Sequence, residues 1–498
     1  MKNKKNKEML RQIKKEQKLK EKEERKEKKA KKAKNREYAI VSYFFVAIFV
    51  SLIGYLVYFN VVESADFINS PYNTRQNTFA ERVTRGKIVS ESGETLAYTD
   101  VDGEGNETRV YPYGNIFAHV TGYTSNGKSG IESLMNFQLL TSHAGYLEQF
   151  MNSIRDEKNM GDTVVTTLDT SLQQVAYDAL GDYRGAVVVM EPQTGKILAM
   201  VSKPDFDPNT LASNWDTLVN DESNSSLLNR ATQGAYPPGS TFKIITALAY
   251  IREHGTIDGF SYLCEGSITE QGHTVNCFNS NAHGQEDLTS AFANSCNSAF
   301  ARIGLDLDSS LFTSVSKDLL FNKKLPVDIS YRKSSFSLDK DSGMPLVMQT
   351  SIGQGNTLMS PMHMALIVSA IANEGNLMNP YLVEEITNYN GDRVSLTKKS
   401  TYKQLMSEEE ASMLMQLMES VVRQGTASQL SGEAYTAAGK TGSAEYDTAE
   451  GRGTHSWFVG VSNVEDPDIV VSVIAEGAGN GSDVAVPIAK QIFNAYYY

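Results

Sequence analysis

The sequence predicts an α/β (α+β) protein carried behind a single N-terminal transmembrane helix. Three stretches predict it. Ala39 to Phe59 is 21 residues without a charge, enough to cross roughly 30 Å of hydrocarbon. Gly185–Glu191 and Ile197–Val201 are apolar, β-branched runs flanking Pro192-Gln193-Thr194-Gly195-Lys196, and together they read as a hairpin. Tyr236-Pro237-Pro238-Gly239-Ser240-Thr241-Phe242-Lys243 then forces a turn and releases the chain into an apolar helical run from Ile244 to Tyr250. A long helical region to about residue 425 and late strands at Trp457–Val461 and Ile469–Ala475 complete the pattern.

At 498 residues the chain exceeds one ordinary core, so two or three domains are expected. A hydrophobic fraction of 41% with 24 Tyr and 20 Phe is ample to fill them. Charge is uneven. Residues 1–37 carry 18 Lys and Arg against 7 Asp and Glu, a net +11, while the remainder carries a net −23. A basic tail suits nucleic acid in principle. Its place directly before the apolar segment favours instead a solvated cytoplasmic arm near anionic lipid headgroups. The lysine-rich flank puts residues 1–37 inside, the span over 38–60 and everything after Asn60 outside. A cleaved signal peptide has a shorter apolar core and a small-residue cleavage site, whereas this run ends Tyr58-Phe59-Asn60-Val61-Val62-Glu63. A buried core helix is the remaining alternative.

The next hundred residues, 61–160, are turn-rich and short-stranded. They include Asn69–Arg75, a strand–turn–strand piece from Thr84 to Ala97, and the stretch from Phe117 to Glu132. His119 lies here and reads as a structural histidine. A new unit opens near Asp162 and runs to residue 498, with a strand at Thr163–Leu168 and an amphipathic helix from Ser171 to Leu180. The Lys- and Ser-rich stretch from Leu325 to Ser342 reads as a surface insertion. Cys264 and Cys277 are spaced to close a disulfide loop, with Cys296 separate. No Cys-x-x-Cys or His-x-x-x-His pair appears, so a structural metal is not expected.

Ser240 opens a helix, where unpaired N–H groups and the helix dipole favour a developing negative charge. Lys243 follows about one turn later on the same face. A hydroxyl, an amine to take its proton and an anion-friendly backbone are the parts of an activated nucleophile. The spacing alone decides nothing, because Ser-x-x-Lys also occurs at Ser125, Ser314, Ser330, Ser337, Ser395 and Ser400, and a serine at a helix start is commonly a cap. Two further polar points stand in apolar surroundings. Ser295-Cys296-Asn297 lies between helical stretches. Lys440-Thr441-Gly442-Ser443 follows three small residues, and its cation, hydroxyls and close-approach glycine suit an anionic peptide-like ligand.

Ser-x-x-Lys, Ser-x-Asn and Lys-Thr-Gly in this order, 55 and then 145 residues apart, resemble the active-site set of penicillin-binding proteins and serine β-lactamases. Asn229-Arg230-Ala231, Gly353-Gln354-Gly355, and Arg85-Gly86-Lys87-Ile88 ahead of Gly93 to Ala97 extend the resemblance to class B penicillin-binding proteins. It implies an irregular β-rich pedestal at 61–160 and a transpeptidase domain at 161–498 with an antiparallel sheet flanked by helices. By motif, Ser240 is implied as nucleophile and Lys243 as its base. Ser295 is implied as proton relay, Asn297 as the group orienting Lys243 and the substrate amide, and Lys440 as the cation. Thr441, Gly442 and Ser443 are implied to bind the substrate carboxylate, and the N–H groups of Ser240 and Ser443 to form the oxyanion hole. Ser443 stands where the family often has threonine. The implied reaction cross-links peptidoglycan stem peptides ending in D-Ala-D-Ala, is blocked by β-lactams, and needs no cofactor. The implied partner is a polytopic glycan polymerase of the SEDS type.

Two rivals remain at this level. A membrane-tethered β-lactamase or β-lactam sensor does not need the long N-terminal module, and no Glu-x-x-Leu-Asn deacylation motif follows Ser240. A catalytically silent scaffold of a wall-building complex has no reason to keep Ser240, Lys243 and Lys440 intact.

Overall fold

The structure, a computed structural model, describes residues 2–59, 80–448 and 451–498. The turn-rich stretch Asn69–Arg75 lies outside them. One helix, α1 (Lys2–Tyr58), runs continuously through the basic tail and the apolar segment. Lys and Glu are good helix formers, and their interleaving supplies i,i+4 pairs that carry the helix through the tail. Among the described residues α1 is the helix long and apolar enough to cross a membrane, and its apolar side chains from Tyr38 to Tyr58 are exposed.

The first part of the remaining chain is built on a six-stranded sheet. Its order is Arg393–Leu396, Val383–Thr387, Thr163–Thr166, Ile88–Val89, Thr95–Val101, Glu107–Val110. Ile88–Val89 pairs parallel with Thr163–Thr166, and the other neighbours pair antiparallel. The hairpin from residues 383–396 therefore breaks the helical region that the sequence suggests up to 425, because it is recruited to a sheet begun 300 residues earlier. A buried ion triad anchors this module. Arg85 Nε and Arg109 Nε donate to the two oxygens of Glu132 at 2.6 and 2.7 Å. Burial alone would push the Glu132 carboxyl up, but Arg109 and Arg85 hold it below its ordinary range. His119 is buried against Phe206, and burial pushes it down to about 4, so it is neutral and structural.

The second sheet positions the site. Strands β1 (Gly185–Met190), β2 (Ile197–Lys203), β3 (Ala437–Thr448), β4 (Gly451–Ser462) and β5 (Val470–Ala475) lie in the order β3-β4-β5-β1-β2, antiparallel throughout. β1 and β5 are buried at every position, as strands covered on both faces must be. Helices α2 (Thr170–Leu180) and α7 (Ala485–Tyr497) pack together on one face. On the other lies α5 (Pro361–Ala372), buried on all sides and apolar around its circumference. Helices α3 (Lys243–His254), α4 (Asn297–Asp306) and α6 (Glu408–Gln424) belong to the helical part around the site.

The structure corrects two expectations. Residues 325–342 are not a surface insertion: Leu325, Ile329, Phe336 and Leu338 are buried. Phe336 stacks on Phe242, two residues after Ser240, at 6.0 Å between ring centres, and contacts Phe312 at 5.6 Å. Alternation explains it, since Phe336 and Leu338 point inward while the intervening Ser337 faces water. The Cys264–Cys277 disulfide is also absent. All three cysteines are free and buried, and Cys277 Sγ lies 3.7 Å from Cys264 Sγ and 3.7 Å from Cys296 Sγ, so neither pairing is singled out.

Candidate active site

Pro237 and Pro238 stop the chain, and Gly239–Phe242 forms a 3₁₀ turn that feeds directly into α3. Gly239 has φ +53, a left-handed backbone that disfavours any side chain, and its N–H donates to Gly353 O at 2.9 Å. A Cβ on Gly353 would meet Gly239 O at 2.0 Å, so the two glycines let these segments touch. Trp457 Nε1 donates to Pro237 O at 3.1 Å, and Thr241 Oγ1 to Pro238 O at 2.7 Å. Ser240 is half-buried at the surface of this turn, while Thr241, Phe242 and Lys243 are buried.

Behind the turn two amines share one hydroxyl. Lys243 Nζ donates to Ser295 O at 2.6 Å, Ser295 Oγ at 3.2 Å and Asn297 Oδ1 at 2.7 Å. Lys440 Nζ reaches the same Ser295 Oγ at 2.9 Å. Ser295 adopts φ +55, unusual for a residue with a side chain, and the Asn297 amide is held by donating to Asn276 O at 2.9 Å. Both lysines are fully buried, with Phe300 and Phe292 rings 5.5 Å from Lys243 Nζ and Lys440 Nζ respectively. Burial pushes the Lys243 ammonium down to about 8. Burial and then the nearby Lys243 charge push Lys440 well below the ordinary lysine range. Two amines bonded to one oxygen in an apolar setting cannot both keep a proton cheaply, so a neutral amine is available near pH 7.

The strand β3 brings Lys440, Thr441, Gly442 and Ser443 along the turn. A Cβ on Gly442 would stand 3.0 Å from Thr241 Cγ2 and from Trp457 Cβ, so glycine lets the strand lie this close without crowding the turn. The structure thus gathers all eight residues singled out in the sequence. It adds Thr426 and Gly481, which had no linear signal, and gives contacts to Gln354 and Arg230 from the accessory motif stretches. Thr426 Oγ1 lies 2.5 Å from Thr441 Oγ1, and Gly481 N–H donates to Ser443 Oγ at 3.3 Å. The Gln354 amide, with its nitrogen toward Glu445 O at 3.2 Å and its oxygen toward Glu445 N at 3.0 Å, pairs with the β3 backbone just past Ser443. Arg230, from the Asn-Arg-Ala stretch, is a support: it binds Glu476, which also accepts from Tyr236 OH at 2.6 Å at the start of the turn.

An antiparallel sheet whose edge strand lies against a serine-bearing turn, with buried amines behind it, defines a serine acyl-transfer fold. Residues 185–494 match the penicillin-binding protein transpeptidase domain, and residues 85–164 the penicillin-binding protein A dimerisation domain. The chain is 32% identical over 456 residues to the peptidoglycan D,D-transpeptidase PbpA of Mycolicibacterium smegmatis, covering 82% of this chain and 87% of that one. It is 31% identical over 453 residues to penicillin-binding protein 3 of Bacillus subtilis, covering 82% and 65%. Among solved structures it resembles penicillin-binding protein A of M. tuberculosis as a ceftriaxone acyl-enzyme, with TM-score 0.76, 27% identity, and 84% and 99% of the two chains covered. The penicillin G acyl-enzyme of that protein gives TM-score 0.76 and 27% identity, covering 83% and 100%. The chain belongs to the class B penicillin-binding proteins, the D,D-transpeptidases.

Proposed function

We propose that this chain cross-links peptidoglycan through an acyl-enzyme on Ser240. Neutral Lys243 takes the Ser240 proton as Oγ attacks the carbonyl of the penultimate D-Ala of a donor stem peptide. The N–H groups of Ser240 and Ser443 hold the developing oxyanion. The proton passes by way of Ser295 to the departing D-Ala nitrogen, the peptide bond breaks, and the ester on Ser240 remains. The amine of a second stem then attacks that ester, gives up its proton by the same route, and frees Ser240. Asn297 orients Lys243 and the substrate amide, Lys440 holds the site positive, and Thr441 and Ser443 receive the terminal carboxylate, with Gly442 allowing the close approach. The observation that carries this reading is the bonding of Lys243 and Lys440 to one oxygen, Ser295 Oγ, which supports proton exchange between the two amines and the relay serine.

The same reading divides the chain into a cytoplasmic tail (1–37), a membrane span (38–60), a pedestal (61–160) and a transpeptidase domain (161–498), with the catalytic part outside the membrane. The lysine asymmetry supports the orientation, and the span and pedestal suit docking to a polytopic SEDS-type glycan polymerase. The test is peptide mapping after labelling with a fluorescent penicillin. The adduct is expected on Ser240 and on none of the other six serines with a lysine three residues on. A folded Ser240→Ala protein that still labels would overturn the assignment. Slow release of the bound drug separates this reading from a β-lactamase.

A further inference from the structure

Beside the proton path, four side chains converge that the mechanism does not use. Cys264 ends the short strand Tyr262–Cys264, Cys277 precedes a 3₁₀ turn at Phe278–Ser280, His283 precedes the strand Gly284–Glu286, and Cys296 caps α4. Their donor atoms all lie within 4.8 Å of one another. The sulfur of Cys277 is 3.7 Å from each of the other two, and Cys264 Sγ is 3.3 Å from His283 Nδ1. With zinc–sulfur bonds of about 2.3 Å, sulfurs at two corners of a tetrahedron stand about 3.8 Å apart. The two sulfur–sulfur separations about Cys277 match the edges of such a tetrahedron, and all four donors lie close enough to share one ion.

We propose that Cys264, Cys277, His283 and Cys296 form a Cys3His zinc site that clamps the Ser295–Asn297 segment to the hairpins beside it. Three thiolates and an imidazole in tetrahedral array select zinc over hard cations. The surroundings are already those of a thiolate site. Backbone N–H groups of Ser298 and Ala299 donate to Cys277 Sγ at 3.5 Å and to Cys296 Sγ at 3.4 Å, at the N-terminus of the ten-residue helix α4. Ser298 Oγ lies 3.2 to 3.4 Å from all three sulfurs. The hairpins that carry the ligands have little core of their own: Ile268 and Val275 pack with Ala301 and Met348, while Leu263 and Phe278 are 58% exposed. A structural ion supplies the cross-link that so small a core cannot.

The site sits where it can set catalytic geometry. Cys296 separates Ser295 from Asn297, and Asn276, which anchors the Asn297 amide through its carbonyl, immediately precedes Cys277. Ligating Cys277 and Cys296 to one ion holds Ser295 in its left-handed backbone and fixes both groups that bind Lys243. This positioning role rests on the proposed roles of Ser295 and Asn297; the metal content does not.

The test uses the full-length chain purified in detergent without chelator. Elemental analysis should find one zinc per chain, and cobalt exchanged into the wild-type protein should show thiolate charge-transfer and tetrahedral ligand-field bands. His283→Ala, at the half-buried ligand least tied to packing, and Cys264→Ser should each lose the stoichiometric metal and the cobalt spectrum. Penicillin acylation should then slow by up to about 100-fold, the scale of a catalytic group misplaced by an ångström. Wild-type protein that is acylated at Ser240 yet holds no zinc and gives no tetrahedral cobalt spectrum overturns the site, as does a mapped Cys264–Cys277 disulfide. Zinc-free protein that is acylated at the zinc-bound rate overturns the positioning role. Failure of labelling at Ser240 with one zinc bound would count against the Ser240 mechanism alone.

Discussion

Replacing Lys243 tests the proton path most directly, because burial has made its amine useful near neutrality. An ordinary lysine at 10.5 is neutral in about 1 molecule in 3,000 at pH 7; at about 8 it is neutral in about 1 in 10, a gain of roughly 300-fold in available base. The neutral form is the active one, so acid removes activity. The rate of acylation by a labelled penicillin should rise about tenfold per pH unit from pH 6 towards 8 and level off above. Since Lys440 shares Ser295 Oγ with Lys243, the midpoint belongs to the pair of amines. Lys243→Ala should cut the rate by about 10²–10⁴-fold and also abolish the rising limb, because no other neutral amine then adjoins the nucleophile turn in the same geometry. The assay is stopped-flow or gel-based labelling across pH, with thermal unfolding of each sample to exclude collapse. A flat wild-type profile between pH 6 and 9, or a folded Lys243→Ala protein within tenfold of wild type, refutes the reasoning.

Three structural predictions follow from the supports of the site and the pedestal. Gly353→Ala places a Cβ 2.0 Å from Gly239 O at φ +74, so it should destabilise the fold by more than the roughly 1 kcal/mol of a strained backbone alone, read as a lower melting temperature, and weaken penicillin labelling with it. Glu132→Gln leaves the Arg85 and Arg109 guanidiniums in the interior without their shared charge; urea unfolding should show a loss of about 3–5 kcal/mol, and a loss below 1 would mean that the triad is not held as described. Phe336→Ala opens the aromatic cluster behind Ser240 and should cost about 3–5 kcal/mol by the same measurement, whereas Ser337→Ala next to it should be nearly neutral.

The sequence by itself determined the elements whose signal is local. An uncharged 21-residue run, a Pro-Pro-Gly turn opening an apolar helix, and β-branched strands around a Gly turn each follow from neighbouring residues. The eight residues that the structure draws together could be singled out too, because the three motifs keep a recognisable order although 55 and then 145 residues separate them. What only the tertiary structure decided depends on contacts between distant segments. The hairpin at residues 383–396 belongs to the pedestal sheet because its backbone finds partners in Thr163–Thr166. Phe336 is buried because Phe242, Phe312 and Phe321 surround it, and no average over a Lys- and Ser-rich window reveals that. The lowered affinity of Lys243 for its proton arises from complete desolvation, a property of packing that composition does not carry. The three cysteines and His283 show the limit most sharply. Their spacings of 13, 6 and 13 residues match no short ligand motif, and two hairpins and the start of a helix fold their donor atoms to within 4.8 Å.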